Sequence, residues 1–179
     1  MCDSNVLFQE IQKQRQWWLW ILLICSLIIV TSYNIATIIS LNSKTVYHQN
    51  PAEVIISLAI GPVILLAVII LLYYSKLVTE VRYDGVYIRY TPFHRSFRCL
   101  PFSEIESYEA RTYSPIAEYG GWGIRWGWKG GNRNIAYNVS GNKGVQLVLK
   151  DGRRILIGSQ KPEELVAAIK SATSRSIEG

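Results

Sequence analysis

Two stretches of the 179-residue chain run without a charged side chain for longer than the helices of soluble cores usually do. They are residues 16–43, between Arg15 and Lys44, and residues 54–75, between Glu53 and Lys76. A hydrocarbon core of about 30 Å is crossed by about 20 apolar residues rising about 1.5 Å each, so each stretch is long enough to span it. Backbone amides find no water in lipid, which makes helix the only local solution for such segments. The sequence therefore predicts a membrane protein of the α+β class: a cytoplasmic N-terminal segment over 1–16, transmembrane helices over 17–41 and 52–75, an external loop over 42–51, and a cytoplasmic domain over 76–179.

The flanks of the two stretches agree with this layout. Trp17, Trp18 and Trp20 open the first and Tyr73-Tyr74 close the second, placing amphipathic rings at one interface. Asn50-Pro51-Ala52-Glu53 reads as a helix start, with a capping amide, a proline where no N–H is needed, and an acid in the first turn. Gly61-Pro62 predicts a kink in the second helix. Asn34 is costly if it faces lipid, so it is expected to bond across to the other helix or to a neighbouring subunit. Lys13 and Arg15 precede the first stretch and Lys76, Arg82 and Arg89 follow the second, against Lys44 alone in the loop. By the positive-inside rule both termini are cytoplasmic.

Residues 1–74 balance Lys13, Arg15 and Lys44 against Asp3, Glu10 and Glu53, so the formal net charge of +6 belongs to the remainder. A basic domain tethered beside a bilayer is attracted to anionic headgroups. The bases are scattered apart from Arg153-Arg154 and match no nucleic-acid-reading motif, so nucleic acid is not an expected partner. Cys2, Cys25 and Cys99 are odd in number and far apart, which leaves neither a disulfide framework nor a metal knuckle. The residues before Cys25 lack the small side chains of a cleavage site, so the first apolar stretch is expected to be retained.

From Leu77 the apolar period changes to two. Val81 and Tyr83, an Asp84-Gly85 turn, then Val86, Ile88 and Tyr90 predict a hairpin. Phe97 and Cys99 mark a short strand ended by Pro101, and residues 105–113 another. Residues 145–149 and 154–157 flank an Asp151-Gly152 turn. The period changes once more after Pro162, where Glu163 and Glu164 sit in the first turn of a helix with Leu165, Ala168, Ile169 and Ala172 on one stripe.

Short antiparallel strands followed by one amphipathic helix, with the Pro101-Phe102-Ser103-Glu104-Ile105 stretch and the Asp151-Gly152 hairpin leading into Lys161-Pro162-Glu163-Glu164-Leu165, resemble the bacterial pleckstrin-homology-like domains of small two-span membrane proteins. The resemblance covers about residues 77–173 and departs from the pattern at a Gly- and Trp-rich insertion over 113–131. It implies an antiparallel β-barrel or sandwich of seven or eight strands, capped by the terminal helix, with a binding or assembly role.

That insertion contains the most unusual residues. Read as a strand, 122–129 places Trp122, Ile124, Trp126 and Trp128 on one face, and Gly123, Arg125, Gly127 and Lys129 on the other. Either the rings fill the mouth of a small barrel, the reading favoured for Trp126, or they form a surface for lipid or protein with Arg125 and Lys129 able to meet phosphate or carboxylate. The Asn138–Gly144 stretch suits a tight turn and could also present N–H groups to an anion. Candidate binding residues are accordingly Tyr119, Trp122, Arg125, Trp126, Lys129, Asn138 and Asn142. No catalytic residue is assigned: His48 and His94 fall on opposite sides of the membrane in this topology, and Glu104, Glu106 and Glu109 lie along one strand. No cofactor or metal is expected. The expected partners are the bilayer, anionic headgroups, and a second copy or another membrane protein. The alternatives are a pore or transporter subunit and an unrecognised membrane enzyme.

Overall fold

The computed structural model describes residues 6–14, 16–42, 51–127 and 134–178. These fall into two compact units, one formed by residues 15–73 and the other by residues 1–14 together with 74–179.

The first unit is a pair of helices, α1 (Trp17–Asn42) and α2 (Pro51–Tyr74). Within them 24 and 21 consecutive residues, Trp17–Ser40 and Val54–Tyr74, are long and apolar enough to cross a membrane. The greasy surface is turned outward, as Ile28, Ile35, Val63 and Leu66 show. Pro62 lies inside α2 and has no N–H, so the carbonyl four residues earlier, that of Leu58, loses its helical donor. The Asn34 side-chain amide of α1 donates to that carbonyl at 3.0 Å. The one strongly polar side chain in the middle of the pair is thus matched to the one gap that proline opens, and Asn34 bonds across to the other helix as expected. Close approach is allowed nearby by Gly61, where an added Cβ would lie 3.3 Å from Val30 Cγ1.

Among the described residues the second unit has nine strands in two sheets. Sheet one has the order β1-β2-β3-β4, built from β1 (Val6–Lys13), β2 (Lys76–Arg82), β3 (Gly85–Thr91) and β4 (Arg98–Pro101). Sheet two has the order β5-β8-β9-β7-β6, built from β5 (Ile105–Thr112), β6 (Gly123–Trp126), β7 (Asn134–Asn138), β8 (Lys143–Leu149) and β9 (Arg154–Gly158). The Asp84-Gly85 and Asp151-Gly152 turns lie where the sequence predicts, the second with Gly152 at φ 83° donating to the Leu149 carbonyl. Leu77, Val81, Val86 and Ile88 from sheet one and Val145, Leu147, Ile155 and Ile157 from sheet two enclose one core. The last helix, α4 (Pro162–Glu178), adds Leu165, Ile169 and Ala172 to it, the stripe read from its spacing.

Two features depart from the expected layout. The N-terminal segment, to which the sequence assigned no strand, contains one: Val6–Lys13, paired antiparallel with β2 from Val6↔Arg82 to Lys13↔Lys76. Its polar residues tie it in, with Gln12 donating to the Gly158 carbonyl at 2.6 Å and Glu10 accepting from Ser159 Oγ at 2.6 Å and the Gln160 N–H at 2.7 Å. The sheets are also not wholly antiparallel, because β7 runs parallel to β9 through Asn134↔Arg154 to Tyr137↔Ile157. A third short helix, α3 (Pro115–Tyr119), lies in the Gly- and Trp-rich insertion.

The pairing of Asn34 with the proline gap predicts a thermodynamic coupling. Asn34→Leu should destabilise the helix pair by about 1 kcal/mol, and Pro62→Ala, which restores an N–H for Leu58, should remove most of that cost. Unfolding of the four members of this cycle in detergent measures it; an Asn34→Leu penalty of the same size in both backgrounds would show that the amide does not serve the proline.

Candidate functional site

A cleft of about 490 Å³ opens on the face of sheet two that is turned away from the core. Its origin lies in strand alternation. Along β8, Val145, Leu147 and Leu149 point inward, which turns Gln146 outward; in β9 and β7 the same alternation turns Leu156 and Ala136 outward. Register aligns Gln146 with Leu156 and Leu156 with Ala136 across the three strands. Leu156 and Ala136 are covered by Tyr113 and Tyr119, which meet edge to face with ring centroids 6.0 Å apart. They make a second, small core, and α3 is the lid that brings Tyr119 to it.

The lid is fastened by its own residues. Ser114 precedes α3 and Pro115 occupies its first position. Glu118 accepts the Ser114 N–H at 2.7 Å with one carboxylate oxygen and holds the Arg111 guanidinium of β5 with the other. At the far end Gly120 adopts φ 71°, a left-handed conformation that favours glycine, and its N–H closes back on the Ile116 carbonyl. Beside it Gly127 borders the cleft, where an added Cβ would lie 2.9 Å from Asn134 Cβ and 3.3 Å from Tyr119 Cε1.

Between α3 and the sheet the cleft is lined by Arg111, Glu118, Tyr119, Asn134, Gln146 and Arg154, with Ala117 and Gly127. Gln146 is 4% exposed, and its hydrogen bonds are long: Arg111 donates to its Oε1 at 3.4 Å and its Nε2 donates to the Leu147 carbonyl at 3.4 Å. Burial raises the pKa of Tyr119 and pushes that of Tyr113 up to about 12, so both hydroxyls stay protonated near neutral pH.

Of the described residues among those singled out from sequence, Tyr119 alone lines this cleft. Asn138 is fully buried behind it, accepting the Gly123 N–H at 2.9 Å and donating to the Tyr113 hydroxyl at 3.0 Å. Asn142 uses its backbone carbonyl to accept the Tyr113 N–H at 2.8 Å. Trp122 is half-buried and donates from Nε1 to the Gly141 carbonyl, and Arg125 folds back to donate to the Trp122 carbonyl, each at 3.0 Å. Trp126, favoured above as core, is 60% exposed at the end of the edge strand β6. β6 covers only Gly123–Trp126, so Trp122 lies before it; Trp128 and Lys129 lie outside the described residues. Arg111 and Gln146 sit singly on two strands and Arg154 follows Arg153 on a third, so no local pattern in the sequence brings the three together.

A separate basic surface covers the outer face of sheet one. The Arg82 guanidinium sits 4.3 Å from the Tyr87 ring centroid and that of Arg89 4.4 Å from the Phe97 centroid, with Glu80 pairing Arg82 at 2.7 Å. Among the described residues no group of three His, Cys, Asp or Glu side chains comes together to hold a metal. His94 stands near Arg98 with its ring 5.8 Å from that of Tyr137, and burial and the Arg98 charge both lower its pKa.

The two apolar helices and the two-sheet unit, spanned by one continuous match, define the class. A family of unknown function, DUF6141, matches residues 2–176, and the chain belongs to that family. No curated protein and no solved structure matches it.

Burial separates two of the sequence candidates. Trp126→Ala should change the stability of the sheet unit by no more than about 0.5 kcal/mol. Asn138→Ala, which strands the Gly123 N–H and the Tyr113 hydroxyl, should cost about 1–3 kcal/mol. Proteolysis of the full chain across a urea series compares them, and a Trp126→Ala loss equal to that of Asn138→Ala would return the ring to the core.

Proposed function

We propose that this chain is an integral membrane protein whose two-sheet unit is a cytoplasmic, pleckstrin-homology-like binding or assembly module, and that it is not an enzyme. One observation carries the reading. The apolar helices are spliced between two neighbouring strands, so that Lys13, where β1 ends, and Lys76, where β2 begins, are ladder partners. A helical hairpin that leaves a sheet and returns to the adjacent strand keeps both of its ends on one side of any membrane it crosses. Lys13, Arg15, Lys76, Arg82 and Arg89 support the cytoplasm as that side. Removal of the first helix as a signal would also take β1 out of the sheet.

The likeness to pleckstrin-homology-like domains is supported by two sheets sharing one core with a C-terminal helix that fills it. The parallel β7–β9 pair and the strand that precedes the helices depart from that pattern. A pore is disfavoured because Asn34 is already committed to Leu58. Binding is favoured over catalysis because the cleft brings together guanidinium, amide and phenol groups with one carboxylate that is held by Arg111 and by a backbone N–H. The Arg82 and Arg89 surface suits anionic headgroups.

Orientation is tested by labelling single cysteines in intact cells, with Cys2, Cys25 and Cys99 replaced by serine. A membrane-impermeant reagent should modify Ser43→Cys and leave Ser174→Cys untouched until the membrane is broken. The reverse pattern would end the cytoplasmic assignment, and release of the protein by alkaline carbonate would end the anchorage.

A further inference from the structure

The charges lining the cleft do not cancel. Arg111 and Arg154 face one carboxylate, Glu118, whose two oxygens are already taken by Arg111 and by the Ser114 N–H that fastens α3. Arg154 is left as the uncompensated cation at the exposed rim, its guanidinium making no hydrogen bond or ion pair among the described residues, although its charge reaches Tyr119. Its neighbour in sequence shows the contrast: Arg153 pairs with Asp151 at 2.5 Å and lies 3.9 Å from Glu104.

Gln146 adds an independent sign. A side chain 96% removed from solvent should have its amide bonded at the usual distance of about 2.9–3.0 Å, yet both of its contacts stand at 3.4 Å. Its amide lines the cleft with Arg154, so an acceptor arriving there would gain a guanidinium fork and be offered a poorly used N–H. A cation would meet Arg154 without a free carboxylate, and a neutral apolar ligand would leave both donors dry. The volume of about 490 Å³ is that of a small-molecule site.

We propose that the cleft beside α3 binds an oxyanion, the carboxylate or phosphate group of a small ligand, with Arg154 as countercharge and the Gln146 amide as a second donor. Tyr119 forms the wall, and Glu118 holds Arg111 and the lid in place without competing for the ligand. This rests on reading the sheet unit as a binding module, but its failure would leave the membrane anchorage, which the cysteine labelling tests, untouched.

The test uses the full chain in an uncharged detergent, titrated with sodium phosphate and, at matched ionic strength, sodium chloride, with thermal unfolding as the readout. Phosphate should raise Tm saturably and chloride should not. Arg154→Gln should raise the half-saturating concentration tenfold or more, and Gln146→Leu severalfold. Arg153→Gln, which removes the same charge from the next position, should leave it unchanged. A second arm places the protein in phosphatidylcholine nanodiscs with or without phosphatidylglycerol. Stabilisation by phosphatidylglycerol that depends on Arg154, without any by phosphate, would assign the oxyanion to a lipid headgroup. No saturable effect in either arm, or equal losses in Arg153→Gln and Arg154→Gln, would overturn the site.

Discussion

The pairing of Val6–Lys13 with Lys76–Arg82 is the contact on which the rest of the structure depends. It joins two strands that the entire apolar hairpin separates in sequence. Closing so long a loop costs conformational entropy, but the cost grows only logarithmically with length, and two antiparallel helices already bring their ends back toward each other. The hairpin therefore replaces what would otherwise be an ordinary strand-to-strand turn. Once β1 is in place, Gln12 and Glu10 reach Gly158, Ser159 and Gln160, joining sheet one to the end of sheet two where α4 begins.

In each unit a side-chain amide is matched to backbone or side-chain groups of the same unit. Among the apolar helices the proline gap at Leu58 is filled by one amide, Asn34. In the sheet unit Asn138 serves two strangers at once, the Gly123 N–H and the Tyr113 hydroxyl, and thereby fixes the start of β6 against the segment that leads into α3. Residues 113–127 of the Gly- and Trp-rich stretch close the cleft over sheet two: α3 supplies Glu118 and Tyr119, the chain after β6 supplies Gly127, and β5, β8 and β9 supply the two arginines and the glutamine.

Much of this architecture is legible in the sequence, for reasons that can be named. Uncharged runs and aromatic flanks mark the helices, Asp-Gly pairs mark the two hairpins, and the spacing of Leu165, Ile169 and Ala172 marks the face of α4. β1 was not legible because two of its inward positions after Phe8 carry Glu10 and Gln12, whose partners lie far along the chain, while Ile11 between them is exposed, so the alternation that betrays a strand is broken. The β7–β9 pair is hidden because parallel neighbours leave no turn between them. Alternation along 122–129 overreached: β6 ends at Trp126, and an edge position leaves that ring in solvent. The cleft was least legible of all, since Arg111, Gln146 and Arg154 converge only through the strand order β5-β8-β9.

The splice of a helical hairpin into one sheet is tested most directly by a register-specific crosslink. With the native cysteines changed to serine and a protease site placed within residues 43–50, Ile11→Cys and Val78→Cys, ladder partners in β1 and β2, are oxidised in isolated membranes and the chain is then cut at that site. The two fragments should stay joined until reduced, and an Ile11→Cys, Glu80→Cys pair, two residues out of register, should join them far less. Fragments that separate without reductant, or that link equally well from both pairs, would contradict the account.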